Sequence, residues 1–233
     1  MIHEPSVPEV VVVVPAAGAG LRLGGPVPKP YRPIGGRPLL ARTLEGLVSA
    51  PSVGGIVLAA APGEMERASS LAPKNLAWFR ATEGGEERFD SVYRGLLMVP
   101  DGVEIVVVHD GARPFVTARE VEETVALARA IGAAAAVTAP VETVKRVDGS
   151  EVTATLDRER IRLAQTPQAF RAEVLREAYR RALEEGWRGT DECALVERIG
   201  GRVGTVPADR WNVKITVEED LLLAEWIARE VRR

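Results

Sequence analysis

Cysteine is scarce in this 233-residue sequence, and its scarcity excludes several kinds of cross-link. The single cysteine, Cys193, has no partner for an intrachain disulfide, no C-x-x-C neighbour and no companions for a cysteine metal cluster. Chains without a disulfide framework are typical of reducing compartments. We therefore expect a cytoplasmic protein.

Long hydrophobic runs are also missing. The longest uncharged stretch, residues 46–63, is interrupted by prolines and glycines, so it is unsuited to span a membrane. The residues ahead of the apolar run Val10–Val14 include Glu4 and Glu9 and no lysine or arginine, which is the wrong charge for a secretory leader. We expect neither a membrane span nor secretion.

An excess of positive charge is absent as well. The chain has 30 basic and 33 acidic residues, and the net charge of −3 argues against a nucleic-acid-binding protein built on a basic surface. With 46% hydrophobic and 27% charged residues it resembles an ordinary soluble globular protein, and we expect residues 1–233 to form a single domain. Only four of the basic residues are lysines, so each one invites a functional question: Lys29, Lys74, Lys145 and Lys214.

Short apolar runs alternate with amphipathic segments along most of the chain. The predicted strands are Val10–Val14, Gly55–Ala60, Leu76–Thr82, Val103–His109, Ala134–Thr138, Arg202–Val206 and Asn212–Ile215. The predicted helices are Pro38–Ser49, Glu64–Leu71, Arg88–Met98, Thr117–Ile131, Glu173–Glu184, Thr190–Ile199 and Val217–Val231. The segment Thr117-Ala-Arg-Glu120 has the pattern of a capping box at a helix start.

This alternation predicts the fold class. Continuous apolar runs are typical of strands covered on both faces, and strand–helix alternation is typical of a mostly parallel sheet. We therefore expect an α/β fold with a mostly parallel, Rossmann-like sheet and helices on both faces. Ligands of such sheets bind beyond the carboxyl ends of the strands.

The alternation breaks at about residues 140–161. This segment is polar, and a turn signal at Asp148-Gly149 separates two short extended stretches, residues 143–147 and 151–155. The pattern predicts a protruding β-hairpin arm. An arm with few core-facing residues is marginally stable alone, so we expect it to pack on a second copy of the chain as a dimerisation arm.

A glycine-rich loop follows the first predicted strand. It contains Gly18 and Gly20, then Arg22, and Lys29 lies a few residues further on. Glycines let a backbone approach a ligand closely, and successive N–H groups favour phosphate oxygens. A dinucleotide-binding fold would carry an acid at the end of the second strand, where this chain has alanines and a proline, and no Walker A sequence is present. The loop therefore predicts a phosphate site, with a simple tight turn as the alternative.

This loop and several later segments resemble a known family. The motifs are Ala16-Ala-Gly-x-Gly-x-Arg-x-Gly24 with Pro28-Lys-x-Tyr31, Gly84-Gly-Glu-Glu-Arg-x-Asp-Ser91, His109-Asp-x-Ala-Arg-Pro114, Thr143-Val-Lys-Arg146, Asp157-Arg158, Gln165-Thr-Pro-Gln168, Thr190-Asp-Glu192 and Asn212-Val-Lys-Ile-Thr216. From residue 10 to about 230 the chain resembles nucleotidyltransferases, specifically the 2-C-methyl-D-erythritol 4-phosphate cytidylyltransferase family. It departs from that family at Pro30, where glutamine is usual, and at Gly111, where alanine is usual; neither departure removes a catalytic group.

The resemblance implies an enzyme that transfers CMP from CTP to a small polyol phosphate and releases pyrophosphate, in the non-mevalonate route to isoprenoid precursors. It also implies a homodimer and a requirement for Mg²⁺, which we expect to be held mainly by the substrate phosphates. Attack of one phosphate on another brings two anions together, so positioning and fixed cations must supply most of the catalysis. The resemblance gives that role to Arg22, Lys29 and Lys214.

The resemblance divides the other site residues between the two substrates. It implies nucleotide binding by Pro15, Ala16, Ala17, Gly18, Gly20, Gly85, Glu86, Ser91, Asp110 and Gly111. It implies acceptor binding by Asp110, Arg113, Thr143, Arg158, Thr166 and Thr190, of which Thr143 and Arg158 would act across the dimer interface. The expected partners are thus small anions, with no nucleic acid and no membrane.

Structural alternatives exist for most of these residues. Asp110 and Arg113 could form a purely structural ion pair, and Thr190 could belong to an ordinary helix N-cap. Without the resemblance, Thr143 and Arg158 would be solvent-facing strand residues. We expect His109 to be a packed strand-end residue, because an already ionised phosphate needs no general base.

Three other functions compete with the one that the resemblance implies. A ribitol-5-phosphate cytidylyltransferase would share the nucleotide half and differ in the acceptor half. A sugar-1-phosphate nucleotidyltransferase using UTP or GTP is more distant. A non-catalytic nucleotide-binding protein is the third, and the co-occurrence of Arg22, Lys29, Asp110 and Lys214 argues against it.

Overall fold

A seven-stranded sheet forms the centre of the computed structural model, which describes residues 7–18, 23, 27–74 and 76–231. Its strands are β1 (Val10–Ala16), β4 (Val53–Ala60), β5 (Trp78–Glu83), β6 (Ile105–Val108), β7 (Ala133–Thr138), β10 (Leu163–Arg171) and β11 (Val203–Pro207). They are ordered β11-β7-β10-β6-β1-β4-β5. β10 runs antiparallel to both of its neighbours, and the other pairs are parallel, so the prediction of a mostly parallel α/β sheet is confirmed.

Helices cover both faces of this sheet. They are α1 (Leu39–Val48), α2 (Met65–Ser69), α3 (Arg88–Leu97), α4 (Ala118–Ile131), α5 (Ala172–Glu184), α6 (Glu192–Arg198) and α7 (Glu218–Glu230). Alternate residues of the strands point to opposite faces: Val11 and Val13 pack with α3, α5 and α6, whereas Val12 and Val14 pack with α1 and α4. In the part of the chain that the structure describes, no helix combines the length and the hydrophobicity needed to cross a membrane.

Local sequence signals explain the start of α4. The hydroxyl of Thr117 accepts a hydrogen bond from the backbone N–H of Glu120 at 3.2 Å, and the carboxylate of Glu120 accepts one from the N–H of Thr117 at 2.9 Å. The predicted capping box is therefore confirmed. It fixes the direction in which the chain leaves the end of β6 and enters the helix.

One strand prediction is wrong, and one strand was not predicted. The segment Asn212–Ile215 is not a strand: the side chain of Asn212 donates to the carbonyl of Thr166, and the N–H of Ile215 donates to the carbonyl of Ala112, without forming a ladder. The sequence analysis also missed β10, because its middle holds Gln165, Pro167 and Gln168 where a buried strand usually carries apolar residues. Those polar residues lie where the strand passes the candidate site.

Two hairpins lie outside the central sheet. One is short and pairs β2 (Pro33–Ile34) with β3 (Arg37–Pro38). The other pairs β8 (Lys145–Asp148) with β9 (Glu151–Thr155), and all four residues of β8 are exposed. This second hairpin lies within the predicted arm, and its role in dimerisation stays a prediction.

Candidate active site

Two adjoining pockets open at the carboxyl ends of β1 and β6. We call the first the nucleotide pocket, after the predicted nucleotide ligands that line it; its lining includes Pro15, Ala16, Ala17, Gly18, Lys29, Gly85, Glu86, Ser91, Asp110, Gly111 and Lys214. We call the second the acceptor pocket, after the predicted acceptor ligands that line it; its lining includes Arg113, Thr166, Gln168, Thr190 and Asp191. Arg88, Asp110 and Lys214 line both pockets and form the wall between them.

The nucleotide pocket is built largely from backbone. Gly84 donates its N–H to the carbonyl of Ala60 at 2.7 Å, which ties the loop before α3 to the end of β4. A Cβ at Gly84 would lie 2.2 Å from the Cβ of Ala17, and a Cβ at Gly85 would lie 2.2 Å from the Cβ of Asp90. Both positions therefore need glycine, because a side chain there would overlap with neighbouring Cβ atoms.

Ser91 holds the same loop from inside α3. Its hydroxyl accepts a hydrogen bond from the N–H of Gly85 at 3.1 Å and lies 3.1 Å from the carbonyl of Glu87. The side chain is buried. Ser91 thus fixes the backbone groups of Gly85 and Glu86 that face the pocket, as well as being a predicted ligand itself.

Asp110 is the buried anion at the centre of the wall. Its Oδ2 lies 2.8 Å from Nζ of Lys214, and its Oδ1 accepts a hydrogen bond from Nε of Arg88 at 2.8 Å. The predicted partner Arg113 is more distant, with Nε 3.8 Å from Oδ2. Burial opposes ionisation, but the two close cations outweigh it and lower the pKa of Asp110 far below its usual range. A purely structural Asp110–Arg113 pair does not account for this arrangement.

Arg88 is a site residue that the sequence analysis missed. Besides Asp110, its guanidinium bonds both carboxylate oxygens of Glu192 at 2.9 and 2.8 Å, and the hydroxyl of Tyr179 donates to the same carboxylate at 3.0 Å. Burial raises the pKa of Glu192, while Arg88 and Tyr179 oppose that effect. Arg88 belongs to the Gly84–Ser91 motif, so the sequence does contain a signal for this residue. Its partner Glu192 is 104 residues away, and no local pattern links the two.

The acceptor pocket receives predicted residues from three segments. Arg113 is buried, and its Nη1 donates to the backbone carbonyl of Asn212 at 2.8 Å. Thr166 is buried in β10, and its hydroxyl accepts a hydrogen bond from the N–H of Asp110 at 3.1 Å. Thr190 is exposed at the rim. The N-cap of α6 is Asp191, whose side chain accepts from the N–H of Ala194, so Thr190 is left to face the pocket.

Lys29 approaches the wall from the loop after β1. It lies in a short 3₁₀ turn, and its Nζ donates to the carbonyl of Ile215 at 3.4 Å, next to Lys214. The two predicted catalytic lysines therefore line one pocket. Arg22 and Gly20 lie outside the described residues, and their roles stay predictions.

Thr143 and Arg158 are not brought to either pocket lining. Both are exposed on the arm, and Arg158 donates to the carbonyl of Val141 at 2.7 Å. A single chain therefore leaves these two predicted acceptor ligands apart from the other four.

His109 is fully buried behind the acceptor pocket. Its Nε2 donates to the carbonyl of Arg113 at 3.2 Å, which leaves Nδ1 without a hydrogen-bond partner. Burial lowers the pKa of His109 to about 4, so the ring is neutral at pH 7. His109 lines neither pocket and, as expected, packs at the strand end, where it supports the backbone of Arg113.

The described residues offer a metal ion few ligands. The described ranges contain no group of three or more His, Cys, Asp and Glu side chains placed to hold a metal ion. Asp110 is the buried carboxylate of the wall, and Glu86 and Glu87 line the nucleotide pocket. This set fits Mg²⁺ that keeps most of its ligands from phosphates and water, because Mg²⁺ commonly uses only one or two carboxylates.

The chain is similar to proteins of one family. It matches the sequence model described as 2-C-methyl-D-erythritol 4-phosphate cytidylyltransferase over residues 10–230. A protein of that name from Syntrophus aciditrophicus is 44% identical over 223 residues, covering 94% of this chain and 95% of the relative. The crystal structure of 2-C-methyl-D-erythritol 4-phosphate cytidylyltransferase from Thermus thermophilus is 35% identical with a TM-score of 0.79, covering 95% and 99% of the two chains. 4-Diphosphocytidyl-2C-methyl-D-erythritolsynthase from Anaerococcus prevotii gives a TM-score of 0.86 at 28% identity, covering 96% and 97%.

Proposed function

Because the chain belongs to the 2-C-methyl-D-erythritol 4-phosphate cytidylyltransferase family, we propose that it transfers CMP from CTP to 2-C-methyl-D-erythritol 4-phosphate. The products are the CDP-polyol, an intermediate for isoprenoid precursors, and pyrophosphate. One observation carries the proposal: two pockets share a wall of Arg88, Asp110 and Lys214, so two anionic substrates can meet at one set of fixed charges.

The reaction is a displacement at phosphorus. An oxygen of the acceptor phosphate forms a bond to the α-phosphorus of CTP, and the bond from that phosphorus to the oxygen bridging to the β-phosphate breaks. The electron pair leaves with pyrophosphate, so no oxidant or reductant is needed. The attacking phosphate is already ionised at neutral pH, which makes a general base unnecessary and agrees with the placement of His109, which is buried and lines neither pocket.

Fixed cations supply the catalysis. Negative charge accumulates on the oxygens around the α-phosphorus in the transition state, and preorganised cations there lower its free energy. Lys29 and Lys214 line the nucleotide pocket, which supports the assignment of this stabilising role to both. We assign the same role to Arg22. Lys214 pairs with Asp110, which holds its ammonium at the wall where the acceptor phosphate arrives.

The cytosine base is recognised mainly by backbone atoms. Ser91 and the close packing of Gly84 and Gly85 hold the loop that carries Glu86 against the end of β1. Backbone N–H and C=O groups of this loop can bond the amide-like edge of cytosine. Ala16, Ala17 and Gly18 line the same pocket, and we assign Gly111 and Asp110, which also line it, to the ribose.

Mg²⁺ would enter with CTP. It would neutralise part of the triphosphate charge there. We expect the substrate phosphates to hold most of it, and Asp110 is the buried carboxylate of the wall that could add one ligand.

The arm completes the acceptor pocket in a homodimer. Thr143 and Arg158 are exposed on it and serve the acceptor phosphate of the second copy. Four apolar side chains on the hairpin and its ends are more than half exposed: Val141, Val147, Val152 and Leu163. Burial of these side chains against a second copy would stabilise the arm. We place the enzyme in the cytoplasm, in keeping with its buried free thiol at Cys193.

A single assay tests the proposed function. The protein is incubated with CTP, Mg²⁺ and 2-C-methyl-D-erythritol 4-phosphate, and released pyrophosphate is measured together with the nucleotide product. Parallel reactions replace the acceptor with ribitol 5-phosphate or CTP with UTP or GTP. We expect release with CTP and the methylerythritol phosphate; release only with another acceptor or nucleotide contradicts the proposal, and tight CTP binding without turnover favours a non-catalytic binding protein.

A further inference from the structure

Asn212 is a fully buried polar residue that lines neither pocket. Its Nδ2 donates to Oε1 of Glu120 at 3.2 Å and to the backbone carbonyl of Thr166 at 2.8 Å. Its own backbone carbonyl accepts from Nη1 of Arg113 at 2.8 Å. One residue therefore connects α4, β10 and the segment after β6.

Glu120 does more than cap a helix. Its Oε2 completes the capping box with Thr117, which is an ordinary function at this position. Its Oε1 points the other way and accepts from the N–H of Asp209 at 2.8 Å as well as from Asn212. A buried carboxylate is costly unless donors surround it, so these bonds fix the 209–212 loop against α4.

Asn212 joins three segments that each contribute to the lining of the acceptor pocket. The segment after β6 carries Arg113, β10 carries Thr166, and the segment of Asn212 itself carries Lys214 two residues later. Thr166 in turn accepts the N–H of Asp110, the central anion of the wall. A displacement of Asn212 would move Arg113 and Thr166 first, because both bond to it directly.

We propose that Asn212, clamped by Glu120, is a positioning residue for the acceptor half of the site. The inference rests on the proposed function, because it assigns the neighbouring pocket to the acceptor phosphate. Asn212 touches no substrate; it sets the geometry of Arg113 and Thr166 and the approach of Lys214. Misplacement of such groups by about 1 Å can cost on the order of 10²-fold in rate.

The test uses Asn212→Asp, which keeps the shape, removes both Nδ2 hydrogen bonds and sets a second carboxylate beside Glu120. We expect the KM for the acceptor to rise about tenfold or more and kcat to fall, while the KM for CTP changes less than about twofold. Glu120→Gln is the milder second variant, since it keeps an acceptor oxygen at this position. It should shift the same parameter in the same direction by less.

Thr124→Val is the matched control. Thr124 is also buried on α4, one turn after Glu120, but its hydroxyl bonds only the carbonyls of Glu120 and Val121. This variant should lower the melting temperature without changing the ratio of the KM for the acceptor to the KM for CTP. Equal rises in both KM values for Asn212→Asp, or none, would overturn the inference.

Hydrogen exchange provides a readout that does not depend on turnover. In Asn212→Asp we expect faster exchange in residues 112–114, 164–168 and 208–216, and unchanged exchange in residues 84–91. If wild-type protein releases no pyrophosphate, the proposed function fails, and the exchange pattern still decides whether Asn212 holds these segments. Uniformly faster exchange, as in a merely destabilised chain, would contradict the positioning role.

Discussion

The two halves of the site are built in different ways. The nucleotide pocket is shaped by strand ends and glycines, with Gly85 packed so closely that a Cβ would lie 2.2 Å from Asp90. The acceptor pocket is shaped by charged and polar side chains, and buried partners hold them: Asn212 and His109 bond the two ends of the Arg113 residue, its guanidinium and its carbonyl. We therefore expect nucleotide binding to be sensitive to added volume, and acceptor binding to be sensitive to lost hydrogen bonds.

A substitution in the wall between the two pockets should give the largest loss of activity. Lys214→Ala removes a cation that lines both pockets, and we expect kcat to fall by roughly 10²-fold or more, because a preorganised transition-state charge is lost. Steady-state kinetics with both substrates measures it. We expect a similar fall in kcat for Lys29→Ala.

Lys214→Arg is the matched variant for this prediction. It keeps the positive charge beside Asp110 but replaces a compact ammonium with a planar fork. We expect activity between those of wild type and Lys214→Ala. An unchanged kcat in both lysine-to-alanine variants would remove the lysines from the chemistry.

Acid should lower the free energy of unfolding through His109, which lies behind the acceptor pocket. Its pKa is about 4 in the folded chain against 6.5 unfolded, so the folded state binds fewer protons and its stabilising contribution is present above pH 6.5 and lost as pH falls towards 4. Between pH 7 and pH 4.5 this group should remove about 2 kcal/mol from the free energy of unfolding.

His109→Gln separates this contribution from other titrations. Glutamine keeps a donor for the carbonyl of Arg113 and does not titrate. Urea unfolding of both proteins at the two pH values should show a smaller loss in the variant. Equal losses would mean that His109 is not held neutral in the folded protein.

Added volume at a glycine should impair nucleotide binding and leave acceptor binding nearly unchanged. Gly85→Ala forces the loop before α3 to move, and we expect the KM for CTP to rise about tenfold with little change for the acceptor. Gly111→Ala is a useful comparison, because its Cβ would approach Ala16 to 3.1 Å, a contact that a small shift can relieve. Its effect on the KM for CTP should be smaller, and the reverse order would contradict this account of the pocket.

A substitution on the arm should change activity least, and it tests most clearly whether two subunits share one site. Arg158→Ala removes an exposed cation, and we expect the acceptor KM to rise about fivefold, in line with the modest strength of exposed charge contacts. Mixing Arg158→Ala with Lys29→Ala subunits should recover activity if one copy's arm serves the other's pocket. Absence of recovery in verified heterodimers would place the arm outside the site.

The sequence alone predicts the parts of this fold that depend on local pattern. The apolar runs of β1, β4, β6 and β7 and the capping box of Thr117 and Glu120 are local signals, and the structure confirms them. β10 escapes prediction because site residues occupy its middle. The pairing of Arg88 with Glu192 and the bonds of Asn212 join residues far apart in the chain, so no periodicity or motif can reveal them.

The account's central claim is that two differently built halves meet at one wall, and one assay tests it directly. Gly85→Ala and Asn212→Asp are compared with wild type by titrating CTP and 2-C-methyl-D-erythritol 4-phosphate separately and measuring pyrophosphate release. We predict opposite outcomes, with the KM for CTP raised in the first variant and the KM for the acceptor raised in the second. Equal shifts of both constants in both variants would contradict the division of the site.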